Sequence, residues 1–189
     1  MENSLKYTEK GGVLLFSGIV FSLLGAGYYL KGDLATARNL IKKGIKVHID
    51  INRKGLLSFN YMLLGMVGFD SGNIKSAKDN AENAVRLSQE CAERHFEGVS
   101  KIWLGKILHT AESSQNDKAE EYILQGIKLL EKLKIIPYIS VGYLFLGEIY
   151  ASSGQREKAV KKLNNAKLMF QEMEMDYWLT KTREVLGRL

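Results

Sequence analysis

The chain has 189 residues, 46% of them hydrophobic and 25% charged, with one proline, one cysteine and a formal net charge of +6. That hydrophobic share is enough to bury a continuous core, which excludes a disordered chain, and the near absence of proline suits helices rather than an all-β fold. The single cysteine, Cys91, excludes an internal disulfide and fits a reducing compartment, so the cytoplasm is the expected location.

In chain order, hydrophobic periodicity and glycine or proline punctuation predict helices over 12–31, 33–50, 55–70, 73–91, 95–112, 117–134, 137–152, 156–173 and 176–189. Gly32-Asp33, Gly72-Asn73 and Gly154-Gln155 separate three of the pairs; glycine there suits a left-handed turn and Asp or Asn can cap the helix that follows. In the pair 95–112 and 117–134, Ser113-Ser114-Gln115-Asn116-Asp117 replaces the glycine turn.

The helices repeat. Gly25, Gly65, Gly105, Gly147 and Gly187 recur at intervals of 40, 40, 42 and 40, each directly after a leucine. Ala37, Ala77, Ala119 and Ala159 run in the same register, as do Gly44, Ala84, Gly126 and Ala166. A glycine inside a helix costs about 1 kcal/mol relative to alanine, so one in every period implies a place where a neighbouring helix comes close. The helix at 176–189 occupies the first-helix slot of a fifth period, and with Lys181, Arg183, Glu184 and Arg188 it reads as a polar cap.

Each period carries further marks around its glycine. A bulky residue stands four before it (Phe21, Tyr61, Tyr143), an aromatic three after it (Tyr28, Tyr150), glycine seven after it (Gly32, Gly72, Gly154) and alanine twelve after it. Together these resemble the tetratricopeptide repeat, although the period of about 40 exceeds the usual 34 and Lys101 holds the bulky slot of the third repeat. The longer period is similar to repeat regions of bacterial signalling proteins that follow nucleotide-cyclase or regulatory ATPase domains. The resemblance implies an all-α, right-handed superhelical solenoid. It would be a single domain over 1–189, with repeats at 12–50, 55–91, 95–134 and 137–173 and a capping helix at 176–189.

It also implies a function, the non-enzymatic binding of a partner's peptide or helix in a concave groove lined by the first helices. The groove positions one and four after each ladder glycine are Ala26 and Tyr29, Met66 and Phe69, Lys106 and His109, and Glu148 and Ala151. Those three before it are Ser22, Met62, Ile102 and Leu144. The alternative is a regulatory segment of a larger cyclase- or ATPase-linked signalling protein.

The first helix is unusual. From Gly11 to Leu30 there is no charged residue, a run of 20 that equals a membrane span in length. The repeat register continues through it at Gly18, Leu24, Gly25, Tyr28 and Gly32, which favours a repeat helix over a membrane anchor at 11–30. Its apolar circumference, with Leu15, Ile19 and Val20 among the residues, calls for a cover: a second copy of the chain, an upstream domain or lipid.

Chemistry-bearing motifs are sparse. His48, His95 and His109 fall in different repeats without ligand spacing, no phosphate-binding glycine loop occurs, and Cys91 with His95 lacks a third orienting group. No cofactor, metal site or catalytic residue is expected. Lys42, Lys43 and Lys46, then Lys75, Lys78 and Arg86, Lys128 and Lys132, and Lys158, Lys161 and Lys162 recur through the second helices, mixed with Glu82, Glu120, Glu121 and Glu157. No base-stacking aromatics accompany them, so they read as a solvated face and no nucleic-acid partner is expected.

Overall fold

The computed structural model describes residues 14–189, apart from the side chains of Leu14, Leu15 and Ser113. Among the described residues there are nine α-helices and no strand: α1 (Leu14–Leu30), α2 (Leu34–Asp50), α3 (Leu57–Asp70), α4 (Ile74–Glu90), α5 (Arg94–Ala111), α6 (Asn116–Leu133), α7 (Ile136–Ser152), α8 (Arg156–Glu172) and α9 (Asp176–Leu186). A short 3-10 helix (Ser113–Gln115) fills the glycine-free turn before α6. The chain forms two compact units, Met1–Phe96 and Glu97–Leu189.

The turns within pairs follow from their residues. Gly32, Gly72 and Gly154 take φ of 82°, 73° and 72°, the left-handed region that only glycine enters without strain. Asp33 and Asn73 then cap α2 and α4, their Oδ1 atoms accepting from the backbone N–H of Thr36 at 3.0 Å and of Ser76 at 3.1 Å. Gln155 stands at the same place before α8 but makes no side-chain cap. The turns between pairs also have a left-handed residue in register, at Asn52, Ala92, Lys134 and Glu174. None of these is glycine, so the sequence does not announce them.

The ladder glycines are close-approach points, to differing degrees. An added Cβ at Gly25 would meet Ile41 at 2.5 Å, at Gly105 the carbonyl of Ala119 and the side chain of Ile123 at 2.5 Å each, and at Gly147 Leu163 at 2.5 Å. At Gly65 the nearest atoms are 3.4 Å away, because Ala81 stands where the other repeats have Ile or Leu. Gly187 departs from the expectation. It lies just beyond the end of α9, which stops at Leu186, and its Cβ position faces only its own helix.

The core of the first unit is built on residues such as Leu24, Ile41, Leu64, Val67 and Ala81. It also holds polar groups. His48 and Asn60 are fully buried, and neither the His48 ring nitrogens nor Asn60 Oδ1 has a hydrogen-bond partner. The core of the second unit combines Ile102, Ile123, Leu146 and Leu163 with an aromatic cluster. There Trp103 and Phe145 meet edge to face at 5.2 Å, and Trp178 lies 6.2 Å from Phe145 and 6.1 Å from Phe170.

Candidate functional site

The residues expected to line a groove fall into two classes. Those three before the ladder glycine are core: Ser22 is buried, and Met62, Ile102 and Leu144 are only 4%, 1% and 2% exposed. They hold the helices together and offer a partner no open surface, because the rotation of each first helix turns this position inward. The positions one and four after the glycine (Ala26, Tyr29, Met66, Phe69, Lys106, His109, Glu148 and Ala151) are all half-buried.

In the first unit this strip is largely apolar and carries a polar tie at Tyr29. Tyr29 in the last turn of α1 donates its hydroxyl to Asp70 Oδ2 in the last turn of α3 at 2.7 Å. Met66 and Phe69, one helical turn apart on α3, lie on the same stripe.

In the second unit the corresponding residues are already engaged with one another. Lys106 Nζ lies 2.8 Å from Glu148 Oε2 and 5.3 Å above the Phe145 ring. His109 Nδ1 pairs with Asn116 Oδ1 at 2.7 Å, and Asn116 Nδ2 donates to Ser153 Oγ at 3.2 Å. Lys106 and Glu148 hold the same register position in successive repeats, so their pairing was readable by aligning the repeats. A partner that draws on either charge must displace the other.

Two further features escaped the sequence reading. Lys101 is buried, and its Nζ lies 3.1 Å from Glu97 Oε1 and 2.9 Å from Gln125 Oε1, a polar group where the other repeats place an aromatic or apolar side chain. Glu93 receives the backbone N–H of Leu56 at 3.1 Å and the Ser58 hydroxyl, and so closes the start of α3 from the turn after α4. Burial raises the Tyr150 phenol well above its ordinary range, as does its hydrogen bond to Glu120 at 2.6 Å. Burial likewise raises that of Tyr143, with Glu131 adding to it.

The residues expected to drive self-association lie on α1. Ile19 and Val20 are half-buried, and the side chain of Leu15 falls outside the described residues. Among the described residues, no helix is long and apolar enough to cross a membrane, and no group of three His, Cys, Asp or Glu side chains is placed to hold a metal ion.

No family model and no curated protein matches the sequence. Solved structures do. Aspartyl phosphate phosphatase F from Bacillus subtilis superposes with a TM-score of 0.72 at 14% identity, over 89% of this chain and 44% of that one. A signal transduction ATPase with numerous domains from Pyrococcus horikoshii, with a tetratricopeptide repeat sensor, gives 0.68 at 19% identity over 89% and 26%. The nearly identical TPR-like repeats of a putative kinesin light chain from Podosopora anserina give 0.62 at 16% identity over 89% and 86%. The fold is tetratricopeptide-like. This TPR-like chain therefore spans less than half the length of the phosphatase and about a quarter of the ATPase.

Proposed function

We propose that the chain is a non-enzymatic protein-interaction module in which each unit, taken by itself, offers a partner's peptide or helix the half-exposed strip of its own first helices. The observation that carries this reading is the register of burial. In each unit the positions one and four after the ladder glycine stay half-open, while those three before it are closed into the core. In the first unit Tyr29, Met66 and Phe69 supply apolar and aromatic surface of the kind that anchors a bound helix. In the second unit Lys106, His109 and Glu148 supply polar specificity, through pairs that a ligand has to rearrange.

The test is capture of a partner with the full chain, followed by calorimetry on variants. Phe69→Ala is expected to weaken binding by about 1–3 kcal/mol, the scale of an interface anchor, with the helical signal unchanged. Lys161→Glu, on an exposed face of α8, is expected to do little. Loss of binding in Lys161→Glu with none in Phe69→Ala would place the working surface elsewhere.

A second reading is favoured by the partial coverage of the phosphatase and the ATPase: the chain serves as the repeat segment of a larger bacterial, cytoplasmic signalling protein and couples a bound partner to another domain. In that case partner binding to the chain is retained, and the full gene product shows an activity that the partner changes.

A further inference from the structure

Two turns of the second unit carry opposite charges on the same backbone. Lys134, between α6 and α7, and Glu174, between α8 and α9, take φ of 57° and 55°. In the first turn the N–H of Lys134 donates to the Glu131 carbonyl at 3.1 Å and that of Ile135 to the Leu130 carbonyl at 3.0 Å. In the second the N–H of Glu174 donates to the Gln171 carbonyl at 3.3 Å and that of Met175 to the Phe170 carbonyl at 2.9 Å. This is the paired hydrogen bond that closes a helix at a left-handed residue, so matching side chains leave the two turns in matching directions. Lys132 and Lys134 thus correspond to Glu172 and Glu174, and all four are exposed.

Topology places both turns at one end of the unit. The chain runs down α6, up α7, down α8 and up α9, and each of these helices packs against the next. Helix α7 lies against both α6 and α8, so it starts between the basic and the acidic end. Its first residues include Ile136 and Tyr138, 43% and 39% exposed, and Leu133, 43% exposed, stands between the two lysines in sequence. Among the described residues none of Lys132, Lys134, Glu172 and Glu174 forms an ion pair.

This end of the unit is its own complement. A half-turn about an axis through its apolar middle exchanges the basic turn for the acidic one. Lys132 and Lys134 of one copy then face Glu172 and Glu174 of the other, twice over, with Leu133, Ile136 and Tyr138 between them. That is the condition for a two-fold interface, in which one surface meets itself. A nucleic acid or an anionic bilayer drawn to the lysines would meet the glutamates of the neighbouring turn and be repelled.

We propose that the chain forms a two-fold dimer through this end of its second unit, with the basic turn of each copy on the acidic turn of the other. The apolar residues supply the attraction, and the charges fix the orientation.

The experiment is sedimentation velocity on the full chain over a concentration series up to roughly 300 μM, which spans the affinity of a small interface with a charged rim. A dimer is expected that high salt weakens. The pair Lys132→Glu with Lys134→Glu, and the pair Glu172→Lys with Glu174→Lys, are each expected to weaken it by about tenfold or more, because like charges then face each other. Each pair places on one turn the charges that the other already carries on the same backbone, and circular dichroism verifies that both variants are folded. An equimolar mixture of the two variants is expected to restore the dimer, since every acidic turn again meets a basic one. Lys161→Glu, exposed on α8 away from both turns, is expected to change nothing. A wild type that stays monomeric through the series overturns the proposal. So does a dimer that persists in either reversed pair, and so do two monomeric variants that remain monomeric when mixed.

Discussion

The ladder glycines provide a graded test of the helix contacts, and Gly105 and Gly65 mark its two ends. In Gly105→Ala the new methyl group falls 2.5 Å from the Ala119 carbonyl oxygen and 2.5 Å from Ile123. The carbonyl is main chain and cannot swing away, so α5 and α6 must separate, an overpacking cost of about 1–3 kcal/mol. Removing a helical glycine returns about 1 kcal/mol, which leaves a net loss of up to about 2 kcal/mol. In Gly65→Ala the nearest atoms are 3.4 Å away, an ordinary contact, and only the gain remains. The expected result is a stabilisation of about 0.5–1 kcal/mol. Urea denaturation followed by circular dichroism gives both numbers. If the two substitutions move stability in the same direction, or if Gly65→Ala proves the more damaging, the assignment of these glycines as graded helix contacts is wrong.

Acid should act on the first helix pair through His48. Burial, and secondarily the charge of Arg53, holds the imidazole below its ordinary range. The folded state therefore resists protonation: the stability is complete above the unfolded value of about 6.5 and falls below it by up to about 1.4 kcal/mol per pH unit. Urea midpoints measured across that range should show this slope in wild type and lose it in His48→Met; the same slope in both would acquit His48. Removing the Glu93 carboxylate as Glu93→Ala should cost about 1–3 kcal/mol, because the Leu56 N–H and the Ser58 hydroxyl lose a charged acceptor. Amide exchange in the first turn of α3 should then rise well above that in α4, and unchanged protection there would show that the carboxylate does not hold α3.

The helices and turns were legible where one residue type answers one physical demand. Gly32, Gly72 and Gly154 meet the left-handed turn, and Gly25, Gly105 and Gly147 meet the close approach of a second helix. The left-handed residues Asn52, Ala92, Lys134 and Glu174 were invisible because other side chains bear that strain at a cost of about 1–2 kcal/mol. Expecting Met62, Ile102 and Leu144 on an open surface went astray for a different reason: spacing along a helix places residues on one face, but neighbouring helices decide which edge of that face is sealed. The contact between Glu93 and Ser58 joins chain segments with no local pattern to link them.

That last contact bears on how the protein is made. Helix α3 begins at a left-handed Leu56 without a side-chain cap of its own, and the acceptor for the Leu56 N–H is 37 residues further along the chain. At ordinary rates of translation, those residues take roughly two to seven seconds to add. Over that interval the start of α3 waits uncapped while α4 is synthesised, and it is closed only when the ribosome has delivered Glu93.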